Sequence, residues 1–280
     1  MGSSPVSNSN AHNPRQTSTE GLQVVPEGTE VFATLEMGGD TSNVTTRSDQ
    51  GGIGLGVSHS IGDNTEVYGA ASTDFSIYST DFSRSQTGLV NDLELAGGIR
   101  HVEMPDGKGK FGYYAEAGAA TNLAKEKQLP SPTNPDPDGT TPVVGHVAAG
   151  GIAQVSNHLT ATAGIEGQMS NVSIKDSMAH GENINIAATG SVQYTSENGL
   201  TVSVYGKQGL LDQPLHPSPN PKPGPVPPTP SDLTGRSSQM GVKVTYDANE
   251  NLQLNLGQET TIGPNGSRFG ALTVGGTYKF

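Results

Sequence analysis

The sequence predicts an all-β chain closed into an antiparallel up-and-down barrel of about twelve strands, with its apolar side turned to a lipid bilayer. Three observations carry that prediction. From about Gly28 onward, segment after segment places apolar residues at every second position, the period of a strand with one apolar face. The connections alternate between short turns and longer polar loops. The last segment, Arg268 to Phe280 (RFGALTVGGTYKF), is amphipathic and stops on an aromatic residue.

In chain order, the first segment spans residues 30–37, with Val31, Ala33, Leu35 and Met37 on one face. The second, 52–61, groups Ile53, Leu55 and Val57 opposite glycines and serines. Gly62-Asp63-Asn64 then turns the chain into 65–78, whose apolar face holds Val67, Ala71, Phe75 and Ile77. In the fourth, about 88–102, Leu93, Leu95 and Ile99 oppose Asp92, Glu94 and Arg100. Pro105-Asp106-Gly107 has the composition of a tight turn. The fifth, 111–121, sets Phe111, Tyr113 and Ala115 against Tyr114 and Glu116. The sixth, about 143–155, has small residues on both faces.

Ser156-Asn157 leads into the seventh, 159–169, where Leu159, Ala161, Ala163 and Ile165 oppose Thr160, Thr162, Glu166 and Gln168. The eighth, 183–194, gives Ile184, Ile186, Ala188, Val192 and Tyr194 one face. Its Asn198-Gly199 pair is a hairpin signal. The ninth, 200–207, and tenth, 239–246, carry Leu200, Val202 and Val204, then Met240, Val242, Val244 and Tyr246. The eleventh, 251–261, has Leu252, Leu254 and Leu256 opposite Gln253 and Asn255. The terminal segment is the twelfth.

Connections after even-numbered segments are short and those after odd ones mostly longer. The two longest, 124–142 and 209–235, are rich in Pro, Asp and Ser. Phe111, Tyr194, Tyr246, Tyr278 and Phe280 all fall on the apolar face beside a short turn or the terminus, the position of an aromatic girdle.

The terminal strand resembles the last strand of Gram-negative outer-membrane β-barrels of the porin-like general class. There a final Phe, with apolar residues at alternate positions, is the assembly signal. The matching residues are Phe280, Tyr278, Val274 and Leu272, with Gly276 a weak position in the pattern. The resemblance implies short periplasmic turns, long extracellular loops, and barrel-assembly machinery and outer-membrane lipid as partners. Strand number and aromatic end also resemble the barrel of an autotransporter. Such barrels follow a passenger and a pore-threading helix, whereas residues 1–27 form a Ser-, Asn- and Pro-rich stretch without helical period. The expected organisation is a disordered arm over 1–27 and a stand-alone barrel over 28–280.

Composition bounds the alternatives. Apolar residues make up 32% of the chain, and its 38 glycines bring that fraction toward the range of folded proteins. With no cysteine, neither a disulfide framework nor a cysteine-ligated metal is available. A net charge of -12 argues against nucleic acid. No apolar run reaches the ~18 residues a transmembrane helix needs. The beginning, MGSSPVSNSNAHNPRQTSTEG, lacks the basic and apolar regions of a secretory signal. Either a leader was replaced, which MGSS suits, or export takes another route.

Alternation alone also fits a soluble sheet with its apolar face inward. The connection pattern, the end signal and the polar face separate the two: Gly, Ala, Ser, Thr, Asn and Gln dominate that face, whereas soluble exteriors are more heavily charged. With the apolar face on lipid, the pore-lining set is Glu36, Asp74, Asp92, Glu94, Glu116 and Glu166, with Arg100, Lys207 and Lys243 as cations. Acidic groups outnumber basic ones, and a low-dielectric wall focuses their field along the lumen.

The expected function is passive passage of small solutes, preferably cationic or neutral. An equally weighted expectation is that these charges pair and seal the interior. A surface-exposed structural or adhesive barrel acting through its long loops is the alternative, followed by a secreted soluble β-protein. No catalytic activity or cofactor is expected. Ser58 and His59 face opposite ways, His101 sits beside a turn in the headgroup zone, and His146 is inward without an obvious partner. The acidic run 134–139 fits no established calcium loop. The run 217–230 favours polyproline II, which a surface partner could recognise.

Overall fold

The computed structural model describes Val25 and residues 27–40, 46–80, 90–106, 108–122, 143–170, 183–214, 238–262 and 268–280. Its strands are β1 (Thr29–Asp40), β2 (Thr46–Gly62), β3 (Thr65–Thr80), β4 (Val90–Glu103), β5 (Phe111–Asn122) and β6 (Val143–Gln154). They continue as β7 (Leu159–Ser170), β8 (Asn183–Thr195), β9 (Leu200–Pro214), β10 (Ser238–Asp247), β11 (Leu252–Ile262) and β12 (Arg268–Lys279). Each pairs antiparallel with its sequence neighbours, and β1 pairs with β12 to close the wall. Closure matters because a lipid-facing sheet has no water to satisfy its edge groups.

Following the pairings once around the wall returns to β1 about 14 residues further along. That stagger tilts the strands by roughly 40° and sets a backbone radius of roughly 11 Å. Such a wall is wider than an eight-stranded barrel filled by its own side chains.

The two faces separate as the period of two requires. Val31, Leu35, Leu55, Val57, Ile99, Val147, Ile165, Val204, Leu254, Leu256, Leu272 and Val274 point outward and are exposed. Glu30, Ser58, Glu66, Ser72, Arg100, Glu116, Thr162, Glu166, Ser191 and Ser203 point inward and are buried. A soluble β-barrel would invert this pattern, since burying leucine and exposing glutamate is the favourable order in water.

Even-numbered strands lead into short turns, and Gly109 and Gly199 hold positive φ there. The segments after odd-numbered strands, including 134–139 and 217–230, lie outside the described residues, as do residues 1–24 of the expected arm.

Two strands run further than their apolar pattern. β2 begins at Thr46 rather than near Gly52, and β9 continues to Pro214 rather than ending near Lys207. In β9 the register shifts between Ile186↔Leu211 and Ala187↔Gly209, leaving Leu210 as an extra residue in a bulge. A second bulge falls at Ile61, between Ser60↔Glu66 and Gly62↔Thr65.

Candidate pore: the inner face of the barrel

Register decides which inward side chains meet. Cross-strand partners follow one another from β3 to β7 as Glu66, Arg100, Glu116, Ala148 and Glu166. This row is the charged belt of the interior. Arg100 Nη2 lies 2.5 Å from Glu66 Oε1, and both side chains are buried. Lys207 Nζ reaches Glu166 Oε1 at 2.7 Å, and Gln168 donates to the same oxygen at 2.8 Å. Tyr68 donates its hydroxyl to Glu116 Oε1 at 3.1 Å, where His146 Nε2 also lies at 3.1 Å. A carboxylate removed from water needs such partners.

A second device sits in the neighbouring rows, where inward aromatic rings lie flat across glycines. Tyr68 is followed across β4, β5 and β6 by Gly98, Gly118 and His146. A Cβ built on Gly98 would sit 2.5 Å from the Tyr68 hydroxyl oxygen. Tyr114 is followed by Gly150, Gly164 and Thr189, and its hydroxyl ends 3.5 Å from Thr189 Oγ1. Tyr205 crosses Gly241 and donates to Glu259 Oε2 at 3.1 Å. Phe32 crosses Gly56 in the same way. Without these glycines the rings would have to stand up into the lumen.

Of the sequence-predicted residues, Arg100, Glu116 and Glu166 belong to the charged belt, and Lys207 joins it through Glu166. Glu36 and Lys243 lie at inward positions of β1 and β10. Asp74 pairs with Asp92, and Glu94 with Ser72, but the side chains of Asp74, Asp92 and Glu94 lie outside the described residues. His146, expected to lack an obvious partner, is held by Glu116 and Tyr68. The correction comes from β5–β6 register, which sets Gly118 opposite His146 and leaves room there.

Sequence reasoning missed Glu66, Glu30 and Glu259, although each shares inward parity with residues it had placed. Glu66 is four steps of two from Asp74, expected inward on the same segment, so its face was readable. Its partner was not.

Outside, the rim beside the short turns carries Phe111, Tyr113, Tyr194, Tyr246, Tyr278 and Phe280, all exposed. Tyr278 and Phe280 meet edge-to-face at 5.0 Å. His101 stacks on Tyr113 and bonds Thr65 Oγ1 through Nδ1 at 2.8 Å.

No protein-family model matches the sequence, and no curated protein is similar to it. Solved structures are. An outer-membrane channel from Pseudomonas putida F1 superposes with a TM-score of 0.60 at 12% identity, covering 95% of this chain and 99% of that one. The translocator domain of the autotransporter NalP from Neisseria meningitidis gives 0.56 at 13% identity, covering 91% and 90%. The transport unit of the autotransporter AIDA-I from Escherichia coli gives 0.54 at 9% identity, covering 91% of each chain. At such identities the likeness is one of architecture. The closed antiparallel wall, its apolar exterior and these neighbours together identify the fold as that of an outer-membrane β-barrel.

Proposed function

We propose that this chain sits in an outer membrane and gives small solutes passive passage, with a preference for cations and neutral molecules. The observation that carries the preference is the charge balance of the inner face. Among the described residues, Glu30, Glu36, Glu66, Glu116, Glu166 and Glu259 face Arg100, Lys207, Lys243 and Lys279. Asp74, Asp92 and Glu94, at the same parity of their strands, are assigned to that surface and add to the excess. Fixed negative charge inside a low-dielectric wall raises the local concentration of cations. The partners are then outer-membrane lipid on the apolar face and assembly machinery reading Leu272, Val274, Tyr278 and Phe280. No step of chemistry is required of the chain, and the Pro-rich 217–230 segment is left as a surface for partners outside the cell.

Reversal potentials across planar bilayers holding the purified full chain, under a potassium chloride gradient, test this reading. The expected sign is that of a cation-preferring conductance, reduced by Glu36→Gln and Glu116→Gln together. Anion preference, or no conductance, overturns it.

A further inference from the structure

The outward rim beside the short turns is not uniform. β5, β8, β10 and β12 present aromatic rings there, whereas β1 to β4 present Thr29, His59, Thr65 and His101. Two cross-strand Thr–His pairs are built alike. Thr29 Oγ1 lies 2.9 Å from His59 Nδ1, and Thr65 Oγ1 lies 2.8 Å from His101 Nδ1. Each hydroxyl fixes its ring and leaves Nε2 for another partner. For His101 that partner is the Tyr113 hydroxyl at 3.2 Å, with the two rings stacked and Glu103 Oε2 4.0 Å from the same nitrogen. Among the described residues no carboxylate stands so beside His59, nor beside His158, whose ring meets Tyr194 and whose Nδ1 donates to the Thr195 carbonyl.

Thr65, His101, Glu103 and Tyr113 thus set donors and a carboxylate side by side at the edge of the lipid-facing wall. Glu103 and Tyr113 are cross-strand partners, and both side chains are about half exposed. Directly opposed side chains stand about 4.5–5.5 Å apart at Cβ. At 4.0 Å, Glu103 is beyond hydrogen-bond reach of the imidazole. Among the described residues, the exposed Lys108 and Lys110 of the next turn make no ion pair with it. When His101 accepts the Thr65 hydroxyl at Nδ1, its Nε2–H donates to the Tyr113 oxygen, and the phenol O–H is left to point away from the ring. The cluster therefore offers an outside ligand a carboxylate for a cation and a phenol donor for an anion.

We propose that Thr65, His101, Glu103 and Tyr113 form a headgroup site for a phospholipid carrying both a phosphate and a primary ammonium, on the leaflet that meets the short turns. Glu103 takes the ammonium, whose N–H groups donate charge-assisted hydrogen bonds that a quaternary ammonium cannot make. Tyr113, oriented by His101, donates to a phosphate oxygen. A headgroup of net negative charge is disfavoured by the same carboxylate, together with Asp63 and Asp106 in the adjoining turns. The other rim aromatics anchor the wall without choosing among lipids, since a ring with one wet edge needs no particular headgroup. The site requires that the apolar face meets lipid and is independent of any passage through the lumen.

The chain has no tryptophan, so a single introduced one reports alone. Ile99→Trp, two residues from His101 on the same outward face, and Val67→Trp, at the cross-strand partner of Ile99, sample the lipid beside the site. Leu256→Trp on β11 is the control. The full chain is folded into phosphatidylcholine vesicles containing increasing phosphatidylethanolamine brominated in mid-chain, with the mobility shift between unheated and boiled samples as proof of folding. Quenching then gives the ratio of the two lipids at each reporter. The expected result is at least threefold enrichment of the ethanolamine lipid at Ile99→Trp and Val67→Trp relative to Leu256→Trp, falling to the control value when Glu103→Gln is added. Brominated phosphatidylglycerol should show no such enrichment. Enrichment no greater than at the control, or unchanged by Glu103→Gln, overturns the site, and equal enrichment of phosphatidylglycerol overturns the pairing of an ammonium with Glu103.

Discussion

Tyr205 lies across Gly241, its cross-strand partner on β10, so closely that a single added methyl would overlap the phenol ring. The three heavy atoms nearest to that methyl all belong to Tyr205. Gly241 is therefore a recess for one ring, and the hydroxyl beyond it is fixed by Glu259. Gly241→Ala is expected to destabilise the barrel by about 1–3 kcal/mol, the usual cost of overpacking. In a Tyr205→Ala background the same change should cost little, and urea unfolding of the four forms in vesicles measures that coupling. Equal costs in both backgrounds would remove the recess from the account.

The buried pair of Arg100 and Glu66 gives a second expectation. Glu66→Ala removes the carboxylate from a buried guanidinium and should cost about 3–5 kcal/mol. Replacing both, with Glu66→Leu and Arg100→Met, should recover most of the loss, because an apolar pair of similar volume carries no desolvation penalty. Unfolding midpoints of the single and double variants decide it.

How far the sequence could show all this depends on what each feature needs. A period of two assigns a residue to a face, so the outward row of Leu252, Leu254 and Leu256 and the inward Glu116 and Glu166 were readable one strand at a time. Contacts across the lumen require registers. The meeting of Tyr68 with His146 depends on three successive pairings, of β3 with β4, β4 with β5 and β5 with β6. Nothing in any one strand encodes their product.

The start of β2 was missed because residues 46–50 lack the apolar alternation used to find strands. A ladder standing beyond the hydrocarbon does not need it. The end of β9 was missed because Leu210 and Leu211 are adjacent, and the bulge that takes up the extra residue breaks the count by twos. Val25 lies in a stretch read as a disordered arm, where the few apolar residues, Leu22, Val24 and Val25 among them, set no period of two.

The terminal aromatic pair makes a third prediction. Tyr278 and Phe280 contact each other edge-to-face at the rim, an arrangement worth about 0.5–1.5 kcal/mol beyond the area it covers. Phe280→Ala should leave a barrel that still folds in detergent but accumulates several-fold less in an outer membrane. Comparing heat-modifiable protein in cells and in detergent separates the two effects. Equal accumulation of both forms in cells would remove the terminal residue from assembly.

Charge on the outer wall supplies the fourth. Leu256 faces outward between Val244 of β10 and Val274 of β12. Leu256→Arg should cost about 2–4 kcal/mol in vesicles, as a cation held in the hydrocarbon does. Asn255→Arg, one residue away on the inner face, should cost much less. Vesicle unfolding free energies measure both, and equal costs would count against an outward apolar wall.

The same two positions give the most direct measurement of which side meets lipid. A bimane label on Leu256→Cys should be quenched by lipids brominated in mid-chain and ignore aqueous iodide. The label on Asn255→Cys should respond to iodide and ignore the bromines. If instead the label at 256 is shielded from bromolipid while that at 255 is quenched by it, the apolar face points inward and the account of a wet lumen fails.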